Sequence, residues 1–349
     1  MYFASDNGAP AHPAIMDAML RANTGYTSGY GAEEGMQEVQ QTIRDLFEAP
    51  SAAVYLVSTG TAANALALAT MTKPWETIFC HRNAHIEEDE CGAPEFYANG
   101  AKLTLVEGPD AMMTPQSLQA AIDYTGRLGV HNVQRGSASI TNVTEVGTVY
   151  SLEQIQALTK IAHASGVKTH LDGARFANAM IALDCTPAEL TWRSGIDAVS
   201  FGGTKNGCLG VEAVIFFDPD MAWEFELRRK RGGHLLSKHR MLSAQIQGYL
   251  ADGLWIDLAK QANAAGQKLA NGLAQISEVE FMHPAHANMI FAKWTRATHD
   301  KLAAQGSNYY FWPADPAPNG PADEKLSARL VCSWSTTDAE IDQFLGYFS

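Results

Sequence analysis

The feature that most restricts the fold of this 349-residue sequence is an alternation of short apolar runs with amphipathic stretches, which starts near residue 50. In the stretch after Ser151, Leu152, Ile155 and Leu158 repeat at helical spacing, and Ser151 and Gln154 fit a capping box. Strand–helix–strand order of this kind predicts a mostly parallel sheet with helices on both faces. The predicted strands are residues 52–57, 77–81, 102–107, 167–172, 197–201 and 213–217.

The pattern changes in the last third of the chain. Two long helical stretches, 221–250 and 254–276, precede shorter strand candidates, and the Pro- and Ala-rich stretch 313–324 is typical of a surface loop. The later strand candidates are residues 279–284, 289–294, 307–312 and 328–334. We therefore predict a large α/β domain over 1–245, which includes the N-terminal segment, and a small α+β domain over 246–349.

Charge and cysteine content exclude several classes of protein. The formal net charge of −13 argues against a nucleic-acid or anionic-membrane surface, because both require clustered positive charge. No run reaches the roughly 20 apolar residues of a membrane helix, and the N-terminus lacks the pattern of a signal peptide. Five scattered cysteines without a C-x-x-C pair indicate free thiols in a reducing compartment, so we expect a cytoplasmic protein.

Ligands of open α/β sheets bind beyond the carboxyl ends of the strands, and three stretches of this sequence fall there. In the first, "VSTGTAANALAL", a strand ends at Val57 and a helix follows a turn of small residues. The free N–H groups of that helix start, together with the Ser58, Thr59 and Thr61 hydroxyls, suit a phosphate. A simple capped helix after a strand would have the same sequence.

The other two stretches hold Asp172, at the end of a strand, and Lys205, in the glycine-rich "SFGGTKNG". Asp172 could pair with a cationic ligand atom or merely cap the next turn, where Arg175 would neutralise it. Lys205 could form a Schiff base in a partly desolvated pocket or simply be solvated. A phosphate site, a carboxylate and a lysine together match the needs of pyridoxal 5'-phosphate (PLP), whose protonated ring accepts electrons.

The order of the motifs resembles that of the threonine aldolase family, a fold-type-I PLP-dependent group of β-eliminating lyases with the aspartate aminotransferase-like fold. The resemblance extends from "SDNGAP" to "RLVCSW". Its most specific parts are "DGARFANA" and "GGTKNG", while the phosphate turn is generic. The resemblance implies aldol cleavage of L-threonine, L-allo-threonine or a related β-hydroxy-α-amino acid such as phenylserine, with glycine and an aldehyde as products.

The resemblance also implies roles for ten residues. It makes Lys205 the Schiff-base lysine, Asp172 the partner of the pyridine nitrogen, and His85 a group that stacks on the ring and acts on the substrate hydroxyl. Arg175 would face the cofactor's phenolic oxygen and the substrate carboxylate. The remaining roles are phosphate binding by Gly60 and Thr61, substrate carboxylate binding by Ser5 and Arg329, and contact with a neighbouring subunit's site by Tyr30 and Arg231. A homodimer or homotetramer is expected for the same reason.

The sequence departs from the family pattern in two places. Many members have serine before the lysine and glycine after it, whereas this chain has Thr204 and Asn206. Many also have a histidine, linked to hydroxyl recognition, in the stretch that here carries Thr144 and Glu145. The group that binds the substrate hydroxyl, and with it the threo or erythro preference, is left open.

Four other functions compete with this interpretation. His81 and His85 with the following acidic residues could hold a metal, although the glutamate of an H-E-x-x-H zinc site is missing, and we expect none. The basic stretch "ELRRKRGGHLLSKHR" could contact nucleic acid, but it lacks a recognised binding motif. A non-catalytic PLP-binding regulator would need an added binding module. An aminotransferase, racemase or β-lyase of the same fold would share the lysine and the aspartate.

Overall fold

A computed structural model describes residues 1–348 of the chain. Its strands are β1 (Ala53–Val57), β2 (Glu76–His81), β3 (Lys102–Val106), β4 (Gln134–Thr141), β5 (Lys168–Gly173), β6 (Ala198–Gly202), β7 (Glu212–Phe216), β8 (Glu280–Phe281), β9 (Met289–Thr295), β10 (Tyr310–Phe311) and β11 (Lys325–Val331). Its α-helices are α1 (Pro13–Ala22), α2 (Glu34–Leu46), α3 (Gly60–Met71), α4 (His85–Glu88), α5 (Ala93–Tyr97), α6 (Pro115–Tyr124), α7 (Leu152–Ala164), α8 (Phe176–Leu183), α9 (Pro187–Leu190), α10 (Ala222–Arg231), α11 (Arg240–Leu250), α12 (Leu254–Leu273), α13 (Arg296–Ala304) and α14 (Asp338–Gly346). Within the described residues, no helix has both the length and the apolar character that a bilayer crossing requires.

The large sheet has seven strands in the order β1-β7-β6-β5-β4-β2-β3. All neighbours pair in parallel except β7, which is antiparallel to both β1 and β6. The reversal has a simple cause: the segment between β6 and β7 is too short for the helical crossover that parallel neighbours need. The predicted mostly parallel sheet is confirmed.

One central strand, β4, was not predicted from the sequence. Its residues QRGSASIT include few large apolar side chains, although most of the strand is buried. Ser139 shows how the polar groups are satisfied, since its hydroxyl lies 3.0 Å from Nδ1 of buried His170. A strand whose polar groups pair with neighbouring strands leaves little hydrophobic signal in the sequence.

The local helix signals were more informative. The capping box of Ser151 and Gln154 is present at the start of α7, and Thr186 caps α9 with Glu189 in the same way. The prediction of one helical stretch over 221–250 was wrong, because the chain leaves the helix after α10 and re-enters it at α11. Gly233 lies in this break with a φ of 79°, a backbone angle that favours glycine.

The smaller sheet is antiparallel, in the order β10-β11-β9-β8, and contains all four strand candidates of the last third of the chain. The stretch 313–324 between β10 and β11 is mostly exposed and irregular, as predicted. The N-terminus joins this sheet: the Phe3 N–H donates to Asn308 O at 2.7 Å, and the Val331 N–H donates to Phe3 O at 2.8 Å. The domain boundary at residue 245 stays a prediction.

An aromatic cluster packs around β6, the strand that leads to Lys205. Phe201 is fully buried, and its ring lies 5.3–5.6 Å from the rings of Phe176, Phe47 and Trp255 in edge-to-face or strongly tilted geometry. Burial of this aromatic cluster fixes the end of β6 and therefore the backbone that carries the lysine.

Replacing Phe201 by Ala should lower the free energy of unfolding by about 3–5 kcal/mol, because it leaves a cavity among rings that cannot collapse together. Urea denaturation of the two proteins measures the difference. Val130→Ala, at a side chain that is 96% exposed, is the control and should change stability by less than about 1 kcal/mol. Equal losses for both variants would contradict the packing described here.

Candidate functional site

A cavity of about 270 Å³ opens where β1, β5 and β6 end and β7 begins. It is the place where open α/β sheets bind their ligands. Its walls come from turns after three parallel strands, from the start of α3 and from α4. The lining residues are Asn7, Ser58, Thr59, Gly60, Thr61, Asn64, His85, Glu90, Asp172, Ala174, Thr204, Lys205 and Glu212.

Lys205 is held in the cavity by the residues around it. It lies in a short 3₁₀ turn, Thr204–Asn206, directly after β6. The Asn206 amide donates to Tyr249 Oη and to Trp255 O, both at 2.8 Å, and so anchors the turn to the core. Within residues 1–348, the Lys205 ammonium itself has no hydrogen bond or ion pair. A half-buried amine that the protein leaves unpaired is available to a ligand.

Asp172 is the acid of the cavity. It lies near the end of β5, is 2% exposed, and accepts hydrogen bonds from Asn64 Nδ2 at 3.0 Å and from the Ala174 N–H at 3.1 Å. Two donors fix the carboxylate plane without neutralising its charge. The carboxylate can therefore accept a hydrogen bond from a ring N–H of a ligand.

The start of α3 offers an anion site on another wall. Thr59 caps the helix, with its hydroxyl accepting from the Ala62 N–H at 3.1 Å. The N–H groups of Gly60 and Thr61 donate to no protein atom of residues 1–348. A Cβ at Gly60 would meet nothing within 4 Å, so space is open above this turn. Free N–H groups at the positive end of a helix suit a phosphate.

His85 begins α4 and faces the cavity with 28% of its side chain exposed. Its Nδ1 is 2.8 Å from Glu90 Oε1, and that same oxygen accepts from Asn64 Nδ2 at 2.9 Å. Burial opposes the charged form of the ring, but the hydrogen bond to Glu90 and the charges of Glu145 and Asp172 outweigh it and raise the pKa of His85. The ring is therefore placed to take up a proton.

Arg175, Ser5 and Arg329 lie beside the cavity and are not among its lining residues. Arg175 makes a buried bidentate ion pair with Asp6, through Nε at 2.7 Å and Nη2 at 2.9 Å. Ser5 precedes Asp6 and caps the turn that contacts the Lys205 turn. Burial and the nearby Arg175 charge lower the pKa of Arg329. The three residues predicted to bind the substrate carboxylate thus lie around Asp6. Sequence reasoning did not select Asp6.

Tyr30 and Arg231 are not brought to this cavity. Tyr30 is 53% exposed, and the Lys230 ammonium lies 4.7 Å from its ring centroid. Arg231, at the end of α10, lines a separate surface cavity of about 560 Å³ with Phe96 and Leu227. That cavity is larger, but no lysine of residues 1–348 lines it. The smaller cavity, which contains both Lys205 and Asp172, is therefore the candidate functional site. Neither Tyr30 nor Arg231 serves the site of its own chain in this structure.

Sequence reasoning also missed four polar lining residues, Asn7, Asn64, Glu90 and Glu212, and the last three had left a signal. Asn64 is a polar residue in the otherwise apolar middle of α3, and Glu212 is a charged residue that opens the apolar strand β7. Glu90 lies in the acidic stretch considered above for metal binding. These signals mark buried polar groups, but only contacts reveal what the groups do.

The histidines of that stretch have separate partners. His81 Nε2 is 3.1 Å from Gly108 O, and its Nδ1 accepts from the Asn83 N–H at 3.0 Å, whereas His85 turns to Glu90. Within residues 1–348, no three His, Cys, Asp or Glu side chains are arranged to hold a metal ion.

Known proteins resemble this chain over nearly its whole length. The sequence profile of the family described as beta-eliminating lyase matches residues 2–296. The chain belongs to the beta-eliminating lyase family. It is therefore a lyase. It is 38% identical to a low specificity L-threonine aldolase of a Pseudomonas species, over 97% of this chain and 94% of the relative. The Pseudomonas aeruginosa protein of the same name is 37% identical over 96% and 93%.

Solved structures confirm the fold of this lyase. Leishmania major threonine aldolase has a TM-score of 0.91 at 27% identity, covering 99% of this chain and 98% of that one. Serine palmitoyltransferase from S. paucimobilis, solved with PLP and myriocin bound, has a TM-score of 0.72 at 16% identity, covering 100% and 86%. The predicted fold class, fold type I with a mostly parallel sheet, is confirmed by these likenesses.

Glu212 gives the site a pH-dependent effect on stability. Burial raises the pKa of Glu212 to about 7, although the Thr204 hydroxyl, the Gly203 N–H and the Lys205 charge favour the ionised form. A carboxyl that holds its proton more tightly when folded stabilises the fold fully below its unfolded pKa, near 4.5, and this contribution is lost as the pH rises through 7.

We therefore expect Glu212→Gln to gain thermal stability relative to the wild type as the pH rises from 5 to 8, by at most roughly 3 kcal/mol. Melting temperatures at fixed protein concentration, taken at several pH values, measure the gain. Glu34→Gln, at an exposed glutamate, is the control and should run parallel to the wild type. A Glu212→Gln curve that also stays parallel would show that the carboxyl titrates normally.

Proposed function

We propose that this lyase uses PLP to cleave L-threonine, L-allo-threonine or a related β-hydroxy-α-amino acid, such as phenylserine, to glycine and an aldehyde. The observation that carries the proposal is the unpaired Lys205 amine in one cavity with the Asp172 carboxylate. The choice among reactions of this fold rests on the relatives named low specificity L-threonine aldolase.

The residues of the cavity fit PLP. Lys205 would bind its aldehyde as a Schiff base, Asp172 would accept the N–H of the pyridine ring, and the N–H groups of Gly60 and Thr61 would bind the phosphate. His85, on the wall formed by α4, would stack on the ring. When bound, PLP supplies a protonated ring that accepts the electron pair of a bond broken at Cα.

The chain's own groups would orient the substrate and move its proton. Arg329 and Ser5 would hold the substrate carboxylate, so that the Cα–Cβ bond is aligned for cleavage. Arg175 can add the N–H groups that Asp6 leaves free, two on Nη1 and one on Nη2, because Asp6 takes only one hydrogen each from Nε and Nη2. His85, or a water that it positions, would accept the β-hydroxyl proton. The Cα–Cβ bond breaks, the hydroxyl carbon leaves as an aldehyde, and the electron pair left on Cα is protonated to give glycine.

We further propose a cytoplasmic homo-oligomer, a dimer or tetramer, with active sites at subunit interfaces. The location is supported by the five cysteines, all of which are free thiols. The assembly is supported by apolar side chains around the Arg231 cavity, since Phe96 and Leu227 are 77% and 52% exposed. In such an assembly, Tyr30 and Arg231 would reach the cavity of a neighbouring subunit.

Lys205→Ala should abolish aldehyde release from threonine, allo-threonine and phenylserine, because no other amine lines the cavity among residues 1–348. Wild-type protein loaded with PLP should be yellow, and borohydride should fix the cofactor on Lys205, as mass spectrometry of the peptide would show. Unchanged melting of the variant controls for folding. Transamination or racemisation without aldehyde release by the wild type would favour another reaction of this fold.

Mixing Lys205→Ala with Arg231→Ala tests the shared site. If Arg231 acts in the neighbour's cavity, each hybrid dimer has one intact and one doubly altered site, and a randomly exchanged mixture should regain about a quarter of wild-type activity. The matched mixture of Lys205→Ala with His85→Ala should regain nothing, because His85 and Lys205 lie in the cavity of one chain. Equal recovery in both mixtures, or in neither, would place Arg231 outside the neighbouring site.

A further inference from the structure

The cavity contains a chain of hydrogen bonds that the proposed reaction does not by itself require. It runs from His85 through Glu90 and Asn64 to Asp172, with separations of 2.8, 2.9 and 3.0 Å. The last three residues are each at most 3% exposed. Two carboxylates are thereby joined by a single amide group, whose two hydrogens point to one carboxylate each.

Glu90 is the unusual member of this chain. Its side chain is fully buried, its Oε1 accepts both hydrogen bonds, and its Oε2 has no partner among the described residues. A buried carboxyl with one unpaired oxygen destabilises the fold, and such groups persist where they have a function. Burial and the nearby Asp172 charge raise the pKa of Glu90, while His85 and Asn64 oppose this shift.

The backbone shows how the chain brings Glu90 to His85. Helix α4 ends after a single turn at Glu88, and the two residues after Glu90 have positive φ angles, 52° at Cys91 and 71° at Gly92. Asp89, between the helix and Glu90, already leaves helical geometry with φ −127° and ψ 13°, and the Glu90 carboxylate reaches Nδ1 of His85. A continued helix would place these two residues, five apart, on different faces.

The consequence concerns the two nitrogens of His85. Since Oε1 of Glu90 already receives an N–H from Asn64, it presents a lone pair to the ring, and the proton of the neutral ring lies on Nδ1. Nε2 donates to no protein atom of residues 1–348, and His85 lines the cavity. The nitrogen that faces the cavity is then the one with a free lone pair, as a base requires.

We propose that Glu90 is a positioning residue, which holds His85 with its proton on Nδ1 and its basic Nε2 towards the substrate, and that Asn64 joins this pair to Asp172. This inference rests on the proposed function, in which His85 takes the β-hydroxyl proton. It adds that the base and the acid that faces the cofactor ring are held by one shared amide. Glu90, Glu145 and Asp172 are the charged groups that face the ring.

The first test reads His85 directly and needs neither cofactor nor turnover. Diethylpyrocarbonate modifies the unprotonated imidazole, and mass spectrometry of the His85 peptide gives its rate at each pH. Glu90→Gln keeps an acceptor oxygen and removes the charge, so the midpoint of this rate should move to lower pH by roughly one unit. The midpoint of His163, which pairs with Asp197 at 2.9 Å on the surface, serves as the internal reference and should not move.

Glu88→Gln is the matched control variant. Glu88 is exposed, lies two residues away, and accepts from Asn83 Nδ2 at 2.8 Å, so the same charge is removed without touching the ring. Its His85 midpoint should match that of the wild type. An unshifted midpoint in Glu90→Gln, or an equal shift in both variants, would overturn the proposal.

The second test reads the reaction in the PLP-loaded protein. In Glu90→Gln, the acid limb of kcat/KM should move to lower pH together with the His85 midpoint, and kcat should fall while KM changes little. Glu90→Ala frees the ring and should lose on the order of 100-fold in kcat. If the wild-type protein releases no aldehyde, the proposed function is wrong. If the variants are active and the acid limb of kcat/KM does not shift, only the proposed role of Glu90 is wrong.

Discussion

The structure depends on a buried ion pair between Asp6 and Arg175. Asp6 also accepts from Asn288 Nδ2 at 3.2 Å, and Asn288 donates to Cys332 O at 2.8 Å. Burial opposes the charge of Asp6, but the Arg175 guanidinium outweighs it and lowers the pKa of Asp6. The N-terminal segment, the turn after β5 and the small sheet are therefore tied at one point. Removing either charge would leave the other buried and unpaired, so the three parts must stay together.

This ion pair explains why the groups proposed to bind substrate and cofactor are neighbours although they come from distant parts of the chain. The Asp6–Gly8 turn contacts the Lys205 turn, while Arg329 stands on a strand of the small sheet. The groups proposed to bind the cofactor lie at the ends of parallel strands of the large sheet, which meet at one edge. The cavity is thus built by the fold type I arrangement of two sheets, and its chemistry is chosen by a few buried polar side chains.

The three carboxyl groups of the cavity differ in their hydrogen bonds and in their burial. Asp172 is fixed by two donors, Glu90 shares one oxygen between two donors, and Glu212 is buried so deeply that its pKa reaches about 7. Burial favours the neutral forms of Glu90 and Glu212, which limits the negative charge of a cavity that contains one lysine.

The sequence by itself determined the parallel sheet, the helix caps and the stretches that carry Lys205, Asp172 and Gly60, because apolar periodicity and turn chemistry are local properties. It did not determine β4, the reversed strand β7, the break between α10 and α11, or the contacts of Asp6, Asn64 and Glu90. The contacts of Asp6 and Asn64 join residues more than twenty positions apart in the chain, and only tertiary packing sets the distance and direction of such partners. The sequence shows that residue 90 is acidic, whereas its burial and its contact with His85 are seen only in the tertiary structure.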